Sequence, residues 1–162
     1  MSNISGFINR FRSNNKVNNI LQESILVDSF GDSPELSDML LDLVLAGTKT
    51  ATCTSLFEYQ SKLCELPKPG TLTVIIDGKC RPRCVIETTE IIHKSYKDVT
   101  VEFAREEGEH EPLDSSDELI LQQWRDAHWA YFQRVLPQLG YTPTKNMIVL
   151  CEKFRVIYSE NI

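Results

Sequence analysis

A helix signal that runs without a linker into a threonine-rich strand most constrains this fold. Ser33-Pro34-Glu35 opens the helix with a capping hydroxyl, a proline at the first helical position and an acid that suits the helix dipole. Leu36, Met39, Leu40, Leu43 and Val44 supply its apolar face, and Gly47 stops it. Thr48 to Thr54 then reads as an extended strand. The corner GTKTATCTS, Gly47 to Ser55, sets one lysine among five hydroxyls and a thiol.

Around that unit the elements come in an irregular order. Ile4, Phe7, Ile8 and Phe11 recur at helical spacing, with Val17, Ile20 and Leu21 extending the stripe after a break near Ser13-Asn14-Asn15. Residues 1–29 are therefore expected to form a helical extension packed on one domain that spans residues 1–162. Ile25 to Val27 is a short apolar run, and residues 58–70, with Pro67 and Pro69-Gly70, read as a loop. Thr71 to Ile76 is a strand, Asp77-Gly78 a hairpin turn, and the return strand begins near Lys79 with Pro82 marking an edge or bulge. A short helix is expected over Val101–Gly108. Ser115 and Glu118 form a capping box for a long helix carrying Ile120, Leu121, Trp124, His128, Tyr131, Phe132 and Val135. Phe154, Val156 and Tyr158 alternate on a last strand. This order lacks the strand-helix rhythm of a doubly wound sheet and predicts an α+β domain with a small, mostly antiparallel, barrel-like sheet.

Composition removes several function classes. The formal net charge is −6, unsuited to coating long nucleic acid. Eight acids and one base fall within residues 101–118. Lys79, Arg81, Arg83, His93, Lys94 and Lys97 form a small basic cluster that reads as a solvated charged edge. No run approaches the ~18 apolar residues of a membrane span. The first residues lack a secretory signal pattern, so a cytoplasmic location and no membrane partner are expected. Five cysteines (Cys53, Cys64, Cys80, Cys84 and Cys151) form no paired framework, which suits a reducing compartment. They contain no CxxC pair, so no metal is expected, and no cofactor motif is present.

Three features bear chemistry. Lys49 by spacing alone is a surface cation, gaining a few tenths of a kcal/mol from the dipole of the preceding helix. Strict alternation puts Lys49 and Thr52 on opposite faces unless the corner is bulged. Glu102, Glu106, Glu107, Glu109 and Glu111 crowd together, and mutual repulsion can turn one into a proton donor. His128 sits on the apolar stripe of the long helix as a core or pocket-edge histidine. Trp124 on the same stripe is either core or a stacking platform.

FGDSPELSDMLLDLVLAGTKTAT, PKPGTLTVIIDGKCRPRCVIETTEI, VEFAREEGE, WRDAHWAYF and CEKFRVIY, in this order from Phe30 to Tyr158, resemble the ASCH domain family in its longer bacterial form. The resemblance implies a PUA-like β-barrel flanked by helices, with a cleft beside it and a nucleoside or RNA as partner. Some small bacterial members are amidohydrolases that remove the acetyl group from N4-acetylcytidine; other members are linked to ribonuclease activity or RNA binding. In the amidohydrolase type a Gly-x-Lys-x-x-Thr segment supplies a lysine base and a threonine nucleophile, which Gly47, Lys49 and Thr52 match. The glutamate acid of that type aligns with Glu107. Thr48, Thr50, Trp124, Arg125 and His128 are then expected to bind substrate, Trp124, Arg125 and His128 by stacking on or hydrogen bonding a base. A sensor of modified bases without turnover fits the same cleft.

Overall fold

The computed structural model describes residues 4–14, 25–62, 65–110, 112 and 114–160. Val17, Ile20, Leu21, Cys64 and Glu111, named above, lie outside the described residues. The elements run α1 (Ile4–Asn14), β1 (Leu26–Asp28), α2 (Pro34–Leu45), β2 (Ala51–Ser55), α3 (Leu56–Lys62), β3 (Leu72–Ile76), β4 (Pro82–Ser95), α4 (Val101–Glu107), α5 (Asp117–Val135) and β5 (Ile148–Ser159). The strands form one sheet in the order β1-β3-β4-β5-β2. Among the described residues only β1 and β3 pair in parallel. Register slips at Val85/Ile86 and Thr88/Glu90 in the β4–β5 ladder add local twist, and the long strands coil into a half-barrel flanked by helices. The expected α+β, mostly antiparallel PUA-like architecture is the one observed. Among the described residues no helix is long and apolar enough to cross a membrane.

Three helical layers close the sheet. Phe7 and Phe11 of α1 pack on Leu72, Val74 and Val85. Leu40, Leu41 and Val44 of α2 pack with Phe30, Ile75, Ile86 and Phe154. Helices α4 and α5 bring Phe103, Trp124 and Phe132 against Ala51, Cys53, Val149 and Cys151. A buried aromatic such as Phe132, 0% exposed, contributes about 1.5–3 kcal/mol.

Local chemistry explains where elements differ from the sequence expectation. Met39 is 56% exposed, because α2 turns Ser37, Leu40, Leu41 and Val44 inward at spacings of three and four. The expected loop over residues 58–70 is helical in its first part, as residues 58–62 belong to α3. That helix is started by a capping box: Ser55 Oγ accepts from Phe57 N at 3.2 Å while Glu58 Oε2 accepts from Ser55 N at 3.0 Å. The long helix is capped by Ser116, which accepts from Leu119 N at 3.3 Å, so the cap falls one residue beyond the expected Ser115, and Leu119 at the third helical position cannot complete a capping box. The return strand starts at Pro82, not Lys79, because the Asp77 carboxylate accepts from both Lys79 N and Arg81 N at 2.9 Å and holds a longer loop. Its positive φ falls on Cys80 at 57°. Gly78 is needed for space, since a Cβ there would lie 2.4 Å from the Pro34 carbonyl oxygen. Val156 is 38% exposed and breaks the alternation with Phe154 and Tyr158, because β5 carries an extra residue opposite Val85/Ile86.

Candidate functional site

The corner after α2 is built by its backbone. Gly47 takes φ +76°, and the N–H groups of Thr48 and Lys49 both donate to Leu43 O, at 2.9 and 3.1 Å. That ties residues 48 and 49 to the helix end and delays β2 until Ala51. Thr50 N then donates to Glu106 O at 2.8 Å, joining the corner to α4. At the end of α4, Gly108 lies so close that a Cβ would sit 2.3 Å from Thr48 O. The close approach brings the end of α4, and Glu107 with it, within reach of the Lys49 ammonium.

From Lys49 onward the alternation is strict. Lys49, Ala51, Cys53 and Ser55 are buried, and Thr52 and Thr54 are half-buried on the other face. The register with β5 is continuous over Ala51–Ser55, with Thr52 opposite Glu152. The bulge that would swing Thr52 toward Lys49 is absent from this ladder.

Lys49 Nζ donates to Glu107 Oε2 at 2.9 Å and also to Glu109. The Lys49 and Glu107 side chains are each 1% exposed, and that of Glu109 is 26% exposed. Glu107 Oε1 accepts from Trp124 Nε1 at 3.0 Å and lies 3.3 Å from His128 Nε2. The His128 ring stacks on Trp124, with centroids 4.1 Å apart and planes 20° apart. Its Nδ1 is 2.9 Å from Trp124 O; a carbonyl only accepts, so Nδ1 carries a proton. The Phe30 ring lies 5.7 Å from Lys49 Nζ.

Burial works against the Lys49 ammonium, but the Glu107 and Glu109 charges outweigh it and hold its pKa above the ordinary lysine value. Burial likewise opposes the Glu107 carboxylate, and Lys49 and His128 overcome it, lowering its pKa well below the usual range. Burial dominates at Glu109 and raises its pKa despite Lys49. At His128 burial disfavours the imidazolium, yet Glu107 raises the pKa. The resting cluster is therefore an ammonium clasped by carboxylates, with a histidine biased toward its charged form.

Lys49, Glu107, Trp124 and His128 are thus brought together, and Thr52 is not. Thr48 is half-buried beneath Gly108. Thr50 is exposed, its hydroxyl donating to Glu106 O at 3.2 Å. Arg125 is half-buried, and its backbone carbonyl accepts from Tyr96 Oη at 2.6 Å. In the basic cluster, Arg81 and Arg83 both face Asp77, at 2.7 and 3.6 Å. A cleft of about 300 Å³ beside the corner is lined by Val44, Gly47, Lys49, Thr50 and Phe154, among others.

Sequence reasoning passed over two members of the site. Glu109 was one acid in a crowded run, although its place beyond a glycine at the end of α4 hinted that it turns back on Glu107. Cys53 follows Lys49 by four residues and so shares its face in a strand. Its sulfur, a Glu107 oxygen and a His128 nitrogen lie within 4.8 Å of one another, an arrangement able to hold a metal ion.

A family model for the ASCH domain matches residues 26–158. The crystal structure of protein EF3133 from Enterococcus faecalis is 29% identical, with a TM-score of 0.81 over 94% of this chain and 86% of that one. An ASCH domain from Lactobacillus crispatus is also 29% identical, with a TM-score of 0.81 over 95% of this chain and 93% of that one. No curated protein sequence matches the chain.

Proposed function

The chain belongs to the ASCH domain family, and from that premise we propose that it hydrolyses the exocyclic amide of an acylated, cytidine-like nucleoside at the Lys49 cluster. The observation that carries this reading is the Lys49–Glu107 pair, 2.9 Å apart and closed from solvent, beside a cleft of nucleoside scale. Structural ion pairs are seldom buried so completely, because desolvation costs about as much as the pair returns. A preorganised charge is what an acyl-transfer site needs.

The electrostatics shift the roles that the family pattern suggests. With its pKa raised, Lys49 serves as a cation that stabilises the developing oxyanion and then protonates the leaving amine. Glu109, the more exposed carboxylate and the one with the raised pKa, takes a proton from the attacking water. The water oxygen bonds to the amide carbon, the carbon–nitrogen bond breaks, and Glu109 returns its proton to Lys49. Glu107 is a positioning residue that fixes the ammonium. Thr52, facing Glu152, is left out of the proton path.

Incubation with N4-acetylcytidine and, separately, with single-stranded RNA, followed by chromatography, tests the reading. Cytidine and acetate are the expected products. Shortened RNA with intact acetylcytidine would favour a ribonuclease in the same cleft. Binding of the nucleoside without products would favour a modified-base sensor.

A further inference from the structure

We propose that Cys53, Glu107 and His128 form a binding site for a thiophilic divalent cation of the zinc class. The site shares Glu107 and His128 with the cluster around Lys49, but its donors are read from geometry alone and need no hydrolytic activity. One sulfur, one oxygen and one nitrogen donor converge from β2, α4 and α5, within 4.8 Å of one another.

The histidine is set up as metal-binding histidines are. Its Nδ1–H is engaged by Trp124 O at 2.9 Å, and its ring is pinned on the Trp124 indole. Nε2 is thereby aimed at Glu107 Oε1, 3.3 Å away. A ring nitrogen fixed through a backbone carbonyl, with the opposite nitrogen directed at other donors, is the usual outer-shell arrangement of a ligating histidine.

Lys49 does not occupy the same position. It donates to Glu107 Oε2, whereas the cation would approach Oε1, and Trp124 Nε1 at 3.0 Å uses only one lone-pair direction there. When the metal draws on the Glu107 charge, Glu109 remains as the counterion of Lys49. Thiol, imidazole and carboxylate together select a borderline-soft metal over calcium or magnesium. Zinc bond lengths of ~2.0–2.3 Å place tetrahedral donors roughly 3.3–3.8 Å apart. The histidine–glutamate separation already has that value, and the Cys53 sulfur lies within 4.8 Å of both donor atoms. Three protein donors leave the fourth position to an exogenous ligand.

Cobalt(II) titration of the EDTA-treated full chain tests the site without any substrate, so the result is independent of hydrolysis. The expected result is a near-ultraviolet thiolate-to-cobalt band saturating at one equivalent and bleached by zinc. Cys53→Ser removes the band, and Cys80→Ser, at an exposed thiol, leaves it unchanged. Should Cys53→Ser fail to fold, His128→Asn weakens cobalt binding by at least about tenfold. No band in the parent protein overturns the proposal, as does a band that survives Cys53→Ser or is bound equally well by His128→Asn.

Discussion

Lys49 Nζ lies 2.9 Å from Glu107 Oε2, with both side chains 1% exposed, across 58 residues of sequence. The pair joins the corner after α2 to the end of α4. Trp124 and Glu109 complete its hydrogen bonds, as a buried pair requires if it is not to cost more than it returns.

Removing one partner strands the other. Lys49→Met is expected to cost about 3–5 kcal/mol by leaving buried carboxylates without their cation. Glu107→Gln keeps the acceptor for Trp124 but loses the charge. The double variant Lys49→Met/Glu107→Gln should lose clearly less than the sum of the singles. Urea denaturation of the four proteins measures the coupling, and strict additivity would contradict it.

Two glycines at the corner should respond differently. Gly47 has φ +76° with nothing within 4 Å of an added Cβ, so Gly47→Ala costs only the left-handed backbone penalty, about 1–2 kcal/mol. Gly108 has φ +65° and would drive its Cβ to 2.3 Å from Thr48 O. Gly108→Ala is expected to cost substantially more and to displace Glu107 from Lys49. Thermal melts of both variants rank them.

The Trp124 indole N–H donates to Glu107 Oε1 at 3.0 Å. Trp124→Phe retains an aromatic ring against His128 and deletes that donor. A loss of about 1–3 kcal/mol is expected for the unsatisfied buried carboxylate, measured by urea denaturation. A neutral substitution would show that the bond contributes nothing.

What the sequence made legible follows from how local each signal is. Ser33, Pro34 and Gly47 bound α2 by their own backbone preferences, and alternation alone separated Lys49 from Thr52. Ser55 and Glu58 carry a readable capping box, overlooked beside the proline-rich loop that follows. The turn after β3 was half-readable: Asp77 and Gly78 marked it, but its length depends on an aspartate side chain bonding two backbone N–H groups. The burial of Lys49 had no local signal. It arises where Gly108 meets Thr48, a contact between distant segments. The meeting of Cys53, Glu107 and His128 is equally a product of packing among β2, α4 and α5.

Glu152 provides a pH test away from the site. It is 8% exposed, accepts the Thr88 hydroxyl at 2.5 Å, and burial raises its pKa above the ordinary 4.5. A carboxyl with a raised folded pKa contributes stability that is fully present below about 4.5 and is lost as pH rises through the folded value. Glu152→Gln keeps the acceptor and removes the titration. The variant should therefore be more stable than the parent at pH 8, with the gap closing toward pH 4. Urea midpoints across that range measure it, and a gap that widens in acid contradicts the sign.

The central claim rests on Lys49 acting as a cation in amide hydrolysis while Thr52 stands outside the proton path. Its most direct test is the rate of cytidine release from N4-acetylcytidine by the parent protein, Lys49→Met and Thr52→Ala, each confirmed as folded by circular dichroism. The account predicts release by the parent, retention in Thr52→Ala and a loss of about a hundredfold or more in Lys49→Met. No release by the parent, or abolition by Thr52→Ala with Lys49→Met unimpaired, would contradict it.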